Sequence, residues 1–219
     1  MAQDVKRSSE RAKRLPRAVR EKQILDAAVS VFARLGYHSA SMDEISEVAG
    51  VSKPMIYSYL GAKEDLFLHC IRREADRLLQ AVRAGIKPEL SPDMQLWHGL
   101  RSFYGFVGEY RESWTVLHRQ ALTVGGPFAG ELEALRGKAI DLVAELVVSA
   151  GARKGLGAQA EFSGKGMAAA LVGAAESLAD WWLDHPDVSD AVLASWLMNL
   201  TWLGFNDLIE GQVWRPTES

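Results

Sequence analysis

Cysteine is almost absent from this chain: Cys70 stands alone among 219 residues. One thiol cannot close an internal disulfide, so a disulfide scaffold is excluded and a reducing compartment fits best. Long apolar runs are missing too. The longest uncharged stretch, 191–206, is 16 residues and contains two Asn, a Ser, a Thr and a Gly, short of the ~20 residues a membrane-spanning helix needs. No apolar segment stands behind the N-terminal charges, so no secretory signal is expected, and the chain is expected to be cytoplasmic with no membrane partner. The five histidines are scattered, with neither an H-x-x-x-H pair nor H-E-x-x-H, and no metal or cofactor is expected. Asp180, Asp184 and His185 lie one helical turn apart, but just before Pro186 they read as a solvated helix end. No nucleophile motif and no phosphate-cradling glycine loop is visible. Catalysis therefore has no seat, and the chain is not expected to be an enzyme. Strand alternation and internal repeats are lacking as well.

What the chain does have is an uneven charge. The net charge of −3 divides into +4 over residues 1–63 and −7 over residues 64–219. Eight of the eleven basic residues at the front (Lys6, Arg7, Arg11, Lys13, Arg14, Arg17, Arg20 and Lys22) fall within the first 22 positions. Such an arm is suited to phosphate, although a solvated tail has the same composition. Hydrophobic residues make up 48% of the chain, enough for an ordinary globular core.

Apolar spacing is helical throughout. Ile24, Leu25, Ala28, Val31, Phe32 and Leu35 recur along one face of a helix over about 17–35, which Gly36 closes. Ser41, three residues before Glu44, carries a capping-box signature for a short helix. Ser52 is placed to cap another, in which Pro54 is tolerable within the first turn. A long amphipathic helix runs from Lys63 to about 84, and the next from Pro92 to about 110. Further helices are read near 113–123, 127–150, 160–184 and 188–209. The fold class is all-α, with about nine helices.

Residues 42–61 have helix-turn-helix spacing. Gly50 supplies the positive φ that the turn requires, and Val51 and Ile56 plug the two helices together. The outer face of the second helix then offers Lys53, Pro54, Met55, Tyr57, Ser58 and Tyr59, aimed where a DNA major groove would lie. A short αα corner in any helical protein can share this spacing.

The wider stretch resembles the DNA-binding domain of the TetR family of bacterial transcriptional regulators. The resemblance is carried by I-L-x-A-A and F-A-R-x-G-Y between Ile24 and Tyr37, S-M-D-E-I at Ser41 to Ile45 and A-G-V-S-K at Ala49 to Lys53. I-Y-x-Y at Ile56 to Tyr59 and K-E-D-L-F at Lys63 to Phe67 complete it. It implies that Ser41, Ser52, Lys53 and Tyr57 contact phosphates and base edges, and that Tyr59 and Lys63 contact backbone phosphates. Ser46, Leu60 and Pro54 depart from the family pattern. The first two are mild packing changes, whereas Pro54 stiffens the helix start and offers no donor.

Aromatics crowd one segment, 97–128. Trp97, Phe103, Tyr104, Phe106, Tyr110, Trp114 and Phe128 are candidates to line a small-molecule cavity, with His118 and Arg119 as polar anchors, although core packing buries aromatics for the same reason. The stretches 168–175 and 193–205 are apolar nearly all round, so they need cover on more than one face. A partner subunit is the economical cover, and the resemblance implies the same.

Residues 1–62 are accordingly expected to be a basic arm and helix-turn-helix domain, and 63–219 a helical effector-binding and dimerisation domain. The expected protein is a homodimeric repressor, released from double-stranded operator DNA by a small apolar or aromatic effector with an anionic end near Arg119. An all-helical binding protein without DNA, or an enzyme using the aromatic cavity, competes with that expectation.

Overall fold

In the computed structural model, residues 16–124, 126–153 and 157–209 are described, and every regular element among them is helical. The basic residues before position 16 and the glycine-rich centre at 154–156 lie outside the described residues. Helix α1 (Arg17–Ser39) packs Ile24, Ala28, Val31 and Phe32 inward, the face its spacing predicts. It does not stop at Gly36. That residue takes φ 79°, and the helix resumes for one short turn beyond the kink, a conformation open to glycine at little cost.

Helices α2 (Met42–Ala49) and α3 (Lys53–Leu60) lie against α1. Gly50, in the left-handed region at φ 62°, ends α2, and Gln23 Nε2 of α1 donates to the carbonyl of Ala49 at 2.7 Å, closing the corner. Two expected caps differ in detail. Ser41 Oγ accepts from the Glu44 N–H at 3.1 Å, but the Glu44 carboxylate turns to Arg34 at 2.6 Å, so only half of the capping box forms. Ser52 makes no side-chain cap. Pro54 removes one candidate N–H, and the N–H of Met55 already donates to the Ser52 carbonyl at 2.9 Å.

Helix α4 (Lys63–Gly85) runs from this three-helix unit into the body formed by α5 (Pro92–Glu109), α6 (Arg111–Trp114), α7 (Ala121–Val124), α8 (Pro127–Arg153), α9 (Gly157–Leu183) and α10 (Asp190–Ile209). The helix read near 113–123 is continuous from α6 to α7, but its middle, Thr115–Gln120, is a π-helical turn. Such insertions often sit at functional positions. Counting that segment once gives nine helical stretches among the described residues.

The core does not stop at position 62. Phe32 of α1 meets Phe67 of α4 edge-on at 4.8 Å, Phe67 meets Phe128 of α8 at 4.9 Å, and Phe128 lies 5.3 Å from Tyr37. Each such pair adds about 0.5–1.5 kcal/mol beyond its buried area. A second bridge is ionic. The fully buried Glu74 of α4 pairs with Arg73 and Arg77, each at 2.6 Å, and Arg73 reaches Asp26 of α1 at 2.7 Å. Arg77 in turn covers the Tyr110 ring at 4.2 Å.

Candidate functional site

Two sites emerge. In the first, Ile56 and Leu60 anchor α3 in the core, which leaves Ser52, Pro54, Tyr57 and Ser58 on the solvent side. Tyr57 is 47% exposed, unusual for a large ring with nothing to cover it. Ser41 is also exposed, at the neighbouring start of α2. The other expected contacts are half-buried and engaged. Lys53 donates to Asp43 at 2.9 Å, which holds its ammonium above the ordinary lysine range. Tyr59 lies under Arg17, 5.2 Å away. Met55 is half-buried in the first turn of α3. Lys63 points back, donating to the His38 carbonyl at 3.2 Å above the Tyr37 ring at 4.7 Å, and its burial lowers its pKa.

The second site is a cavity of about 620 Å³ between α4, α5, the α6 to π-turn segment, α8 and α9. That volume is within the range of ligand sites. Of the expected lining residues, Phe103, Trp114 and His118 are in its wall. The other six lie elsewhere, each for a definable reason. Tyr104 is fully buried and donates to the Ala175 carbonyl at 3.5 Å. Phe106 and Tyr110 pack tilted against each other at 5.0 Å under Arg77. Trp97 lies beside Arg101, and Phe128 belongs to the cluster with Tyr37 and Phe67. Arg119 faces Asp180 at 2.7 Å and Asp184 at 3.6 Å, so those two carboxylates are committed to an ion pair. No metal-competent group of side chains exists among the described residues.

Most of the wall is aliphatic and was not expected to line a cavity: Leu78, Val82, Leu100, Leu132, Leu142 and Leu171 are representative. Its polar end was also missed. Arg136 Nε of α8 pairs with Glu176 Oε2 of α9 at 3.0 Å. Burial raises the Glu176 carboxyl above the ordinary range, against the opposing pull of Arg136 and then His118. Glu133 and Arg136 are exposed lining residues and mark where the cavity meets solvent. His118 lies flat on Trp114, ring centres 4.8 Å apart. Trp114 is only 3% exposed, and its Nε1 has no hydrogen-bond partner among the described residues. A buried donor left without an acceptor costs about 1–3 kcal/mol. No residue spacing distinguishes Glu176 or Arg136 beforehand, because each is one charge on an amphipathic helix and only packing brings them together.

The π-helical turn touches both the cavity and α1. Leu117 and His118 line the cavity, while Gln120 packs so closely on Gly36 of α1 that a Cβ there would lie 3.1 Å from its Oε1.

Helices α9 and α10 carry a third feature. Leu193, Ala194 and Leu197 of α10 are buried within the chain, whereas Trp196 is 46% exposed, Leu200 73% and Trp181 of α9 41%. The Trp181 and Trp196 rings lie 6.0 Å apart, forming an apolar outer face. Side chains 203–205, the end of the expected apolar run, lie outside the described residues. No helix among the described residues is long and apolar enough to cross a membrane.

Comparison with known proteins agrees with this architecture. Residues 24–70 match the family described as "Bacterial regulatory proteins, tetR family", and residues 92–204 match "Tetracyclin repressor-like, C-terminal domain". The chain is 31% identical over 137 residues to the HTH-type transcriptional activator FasR of Mycolicibacterium smegmatis, a stretch covering 63% of each protein, so the chain spans less than two thirds of that relative's length. The crystal structure of a TetR-like transcriptional regulator from Rhodococcus sp. RHA1 is 42% identical, covers 88% of this chain and 99% of its own, and superposes with a TM-score of 0.75. The FadR regulator from Bacillus subtilis, solved in complex with stearoyl-CoA, shares the fold at a TM-score of 0.69 and 18% identity, over 82% of this chain and 96% of its own.

Proposed function

This chain belongs to the TetR family of bacterial regulatory proteins, and on that premise we propose that it is a homodimeric repressor that leaves double-stranded operator DNA when an effector fills the cavity. The observation that carries the DNA half is α3 itself: Ile56 and Leu60 hold it down while Tyr57 stands exposed beside Ser52, Pro54 and Ser58. A helix fixed on one face and polar on the other is what major-groove reading requires. The residue assignments follow from position. Tyr57 reads base edges, Ser41, Ser52 and Ser58 bind phosphate, and Pro54 and Met55 shape the first turn. Lys53, Tyr59 and Lys63 reach phosphate only by leaving Asp43, Arg17 and the His38 carbonyl. Residues 1–62 are the DNA-reading unit in this scheme, and 63–219 the effector and dimerisation unit.

The wall of the cavity argues for an aliphatic effector rather than an aromatic one. Leucines and valines from four helices offer an apolar surface without ring-stacking partners, apart from Phe103 and Trp114. An extended acyl chain suits such a wall. The stearoyl-CoA of the Bacillus subtilis regulator accords with that choice, although likeness at that level speaks for the fold alone. Dimerisation is assigned to the outer face of α9 and α10, where Trp181, Trp196 and Leu200 would otherwise meet water.

Gel retardation with operator DNA tests this function. Tyr57→Ala is expected to weaken binding by about 1–3 kcal/mol, a base-contact loss, with thermal stability unchanged because the ring is exposed. For a repressor the effector is expected to weaken operator binding roughly 5- to 150-fold. Unchanged retardation by Tyr57→Ala would contradict the DNA half, and strengthened retardation with effector would contradict release of the operator by effector.

A further inference from the structure

We propose that Lys53 and Asp43 read one G·C pair of the operator as a unit, Lys53 donating to guanine and Asp43 accepting from cytosine. This rests on α3 being the DNA-reading helix, and it names a base pair that the start of α3 selects. Lys53 opens α3 and Asp43 is the second residue of α2. Lys53 Nζ donates to Asp43 Oδ2 at 2.9 Å, and the pair faces water: 39% of the Lys53 side chain and 74% of the Asp43 side chain are exposed. Lys53 also stands four residues from Tyr57, so the two lie on one face of α3, the face that the buried Ile56 and Leu60 leave outward. The two first-turn carboxylates of α2 therefore part company. Glu44 turns to Arg34 of α1 at 2.6 Å, whereas Asp43 turns to the reading face.

The bonding capacity left on this pair decides what it fits. An ammonium has three N–H donors and a carboxylate two accepting oxygens, and the bond between them uses one donor. Two donors and a carboxylate oxygen remain for a ligand. In the major groove guanine presents the acceptors O6 and N7, and cytosine beside it presents the N4 amino donor. Lysine on O6 and N7, and a carboxylate on N4, are the pairings that groove geometry favours. Guanine O6 and cytosine N4 are themselves hydrogen-bonded, about 2.9 Å apart, which is the spacing of Lys53 Nζ and Asp43 Oδ2. An A·T pair in the same orientation sets an amino group against the ammonium and O4 against the carboxylate, and C·G sets N4 and O6 against them likewise. T·A offers each partner one contact but no N7 for the second lysine donor. Separating the pair is the costlier course. Lys53 on a phosphate leaves the Asp43 carboxylate bare two residues from Ser41, itself a phosphate contact in the proposed complex. Kept together, the two side chains have no net charge and add selectivity without adding to the salt dependence of binding.

The test is selection of the full chain's binding sequence from a pool of randomised duplex DNA, then titration of the selected duplex with each base pair exchanged in turn and over a range of salt. The native chain is expected to show, in each half-site, one G·C pair whose exchange for A·T or C·G weakens binding about tenfold or more, with a smaller loss for T·A. Lys53→Ala combined with Asp43→Ala leaves the net charge unchanged. This double variant is expected to lose the preference at that position alone and to keep the native salt slope. Asp43→Asn is expected to shrink the penalty for A·T several-fold, because an amide can donate to thymine O4. A double variant with native preferences at every position overturns the proposal. So does one that keeps those preferences while its salt slope flattens by about one unit per protomer, since Lys53 then sits on phosphate. Both side chains are exposed, so thermal melts are expected to match the native chain. If the double variant folds poorly, Asp43→Asn decides, and unaltered penalties in it overturn the pair reading. A native chain that selects no sequence at all overturns the proposal together with the DNA-reading role of α3, whereas a selected sequence indifferent to both variants overturns the pair alone.

Discussion

The three-helix unit before position 63 and the helical body after it solve opposite problems with the same secondary structure. The first has to hide one side of α3 and show the other, so its informative residues are exposed and closely spaced: Gly50 fixes the turn, Ile56 and Leu60 anchor the helix, and Tyr57 faces outward. The body has to keep a space open inside itself. Its informative residues come from α4, α5, α8 and α9, far apart in sequence and mostly leucine or valine. A surface that reads another molecule leaves a local signature, while a cavity is written in tertiary contacts.

The largest expected effect falls on the outer face of α9 and α10, which belongs to the body yet, in the proposed dimer, governs the reading unit through symmetry. Trp196→Glu combined with Leu200→Glu is expected to give a monomer by light scattering and to reduce operator affinity on the order of a hundredfold or more, because the second half-site no longer binds as part of the same particle. Leu197 is the wrong probe for this purpose. It is 2% exposed inside the chain, so charging it tests folding instead. A monomeric double variant with native operator affinity would uncouple the two regions and end the dimer assignment.

Next in size is the ionic bridge between the regions. Glu74→Ala leaves Arg73 and Arg77 without their shared carboxylate, but both are partly exposed and keep Asp26 and the Tyr110 ring, so the loss is expected to cost about 1–3 kcal/mol, lowering Tm by a few degrees in a chain of this size. The shape of the transition sharpens the comparison. Because Asp26, Arg73, Glu74 and Arg77 join α1 to α4 and to the Tyr110 ring, their loss is expected to broaden or split the calorimetric unfolding peak. A native-like single transition at unchanged Tm would mean that the aromatic contacts among Phe32, Phe67 and Phe128 suffice to make one cooperative unit.

Helix type and order were legible in the sequence because amphipathic spacing and the stops at Gly50, Gly61 and Gly85 act locally. The same holds for Pro54, Tyr57 and Ser58 on the exposed face of α3, whereas Lys53, Met55 and Tyr59 are half-buried. What the sequence concealed needed partners. Gly36 reads as a stop, yet α1 resumes after it. The π-helical turn at Thr115–Gln120 has no local marker, and the half-made capping box follows from the reach of Arg34, ten residues away. Aromatic crowding between 97 and 128 suggests a ring-lined pocket, but Phe106 and Tyr110 meet under Arg77, Phe128 joins Tyr37 and Phe67, and Tyr104 packs against Phe103 and Trp182, leaving the cavity mostly to aliphatic residues. Large rings pack best edge-on against rings, so a dense aromatic segment builds core more readily than it lines a void.

The smallest effect concerns the pH at which the body tolerates its own polar end. Burial raises the Glu176 carboxyl above its ordinary value of 4.5, and the opposing attraction of Arg136 and His118 does not cancel that rise. A carboxyl whose folded pKa is raised binds its proton more tightly in the folded state. Its contribution to stability is therefore fully present below pH 4.5 and is lost as pH climbs through the raised value. Glu176→Gln removes the titration while keeping a group of the same shape. The variant is expected to match the native chain near pH 4 and to exceed it at pH 7, by about 2 °C in Tm or less. Thermal melts across that range check the sign. A variant that loses ground to the native chain as pH rises would mean that the Arg136 ion pair outweighs the burial of Glu176.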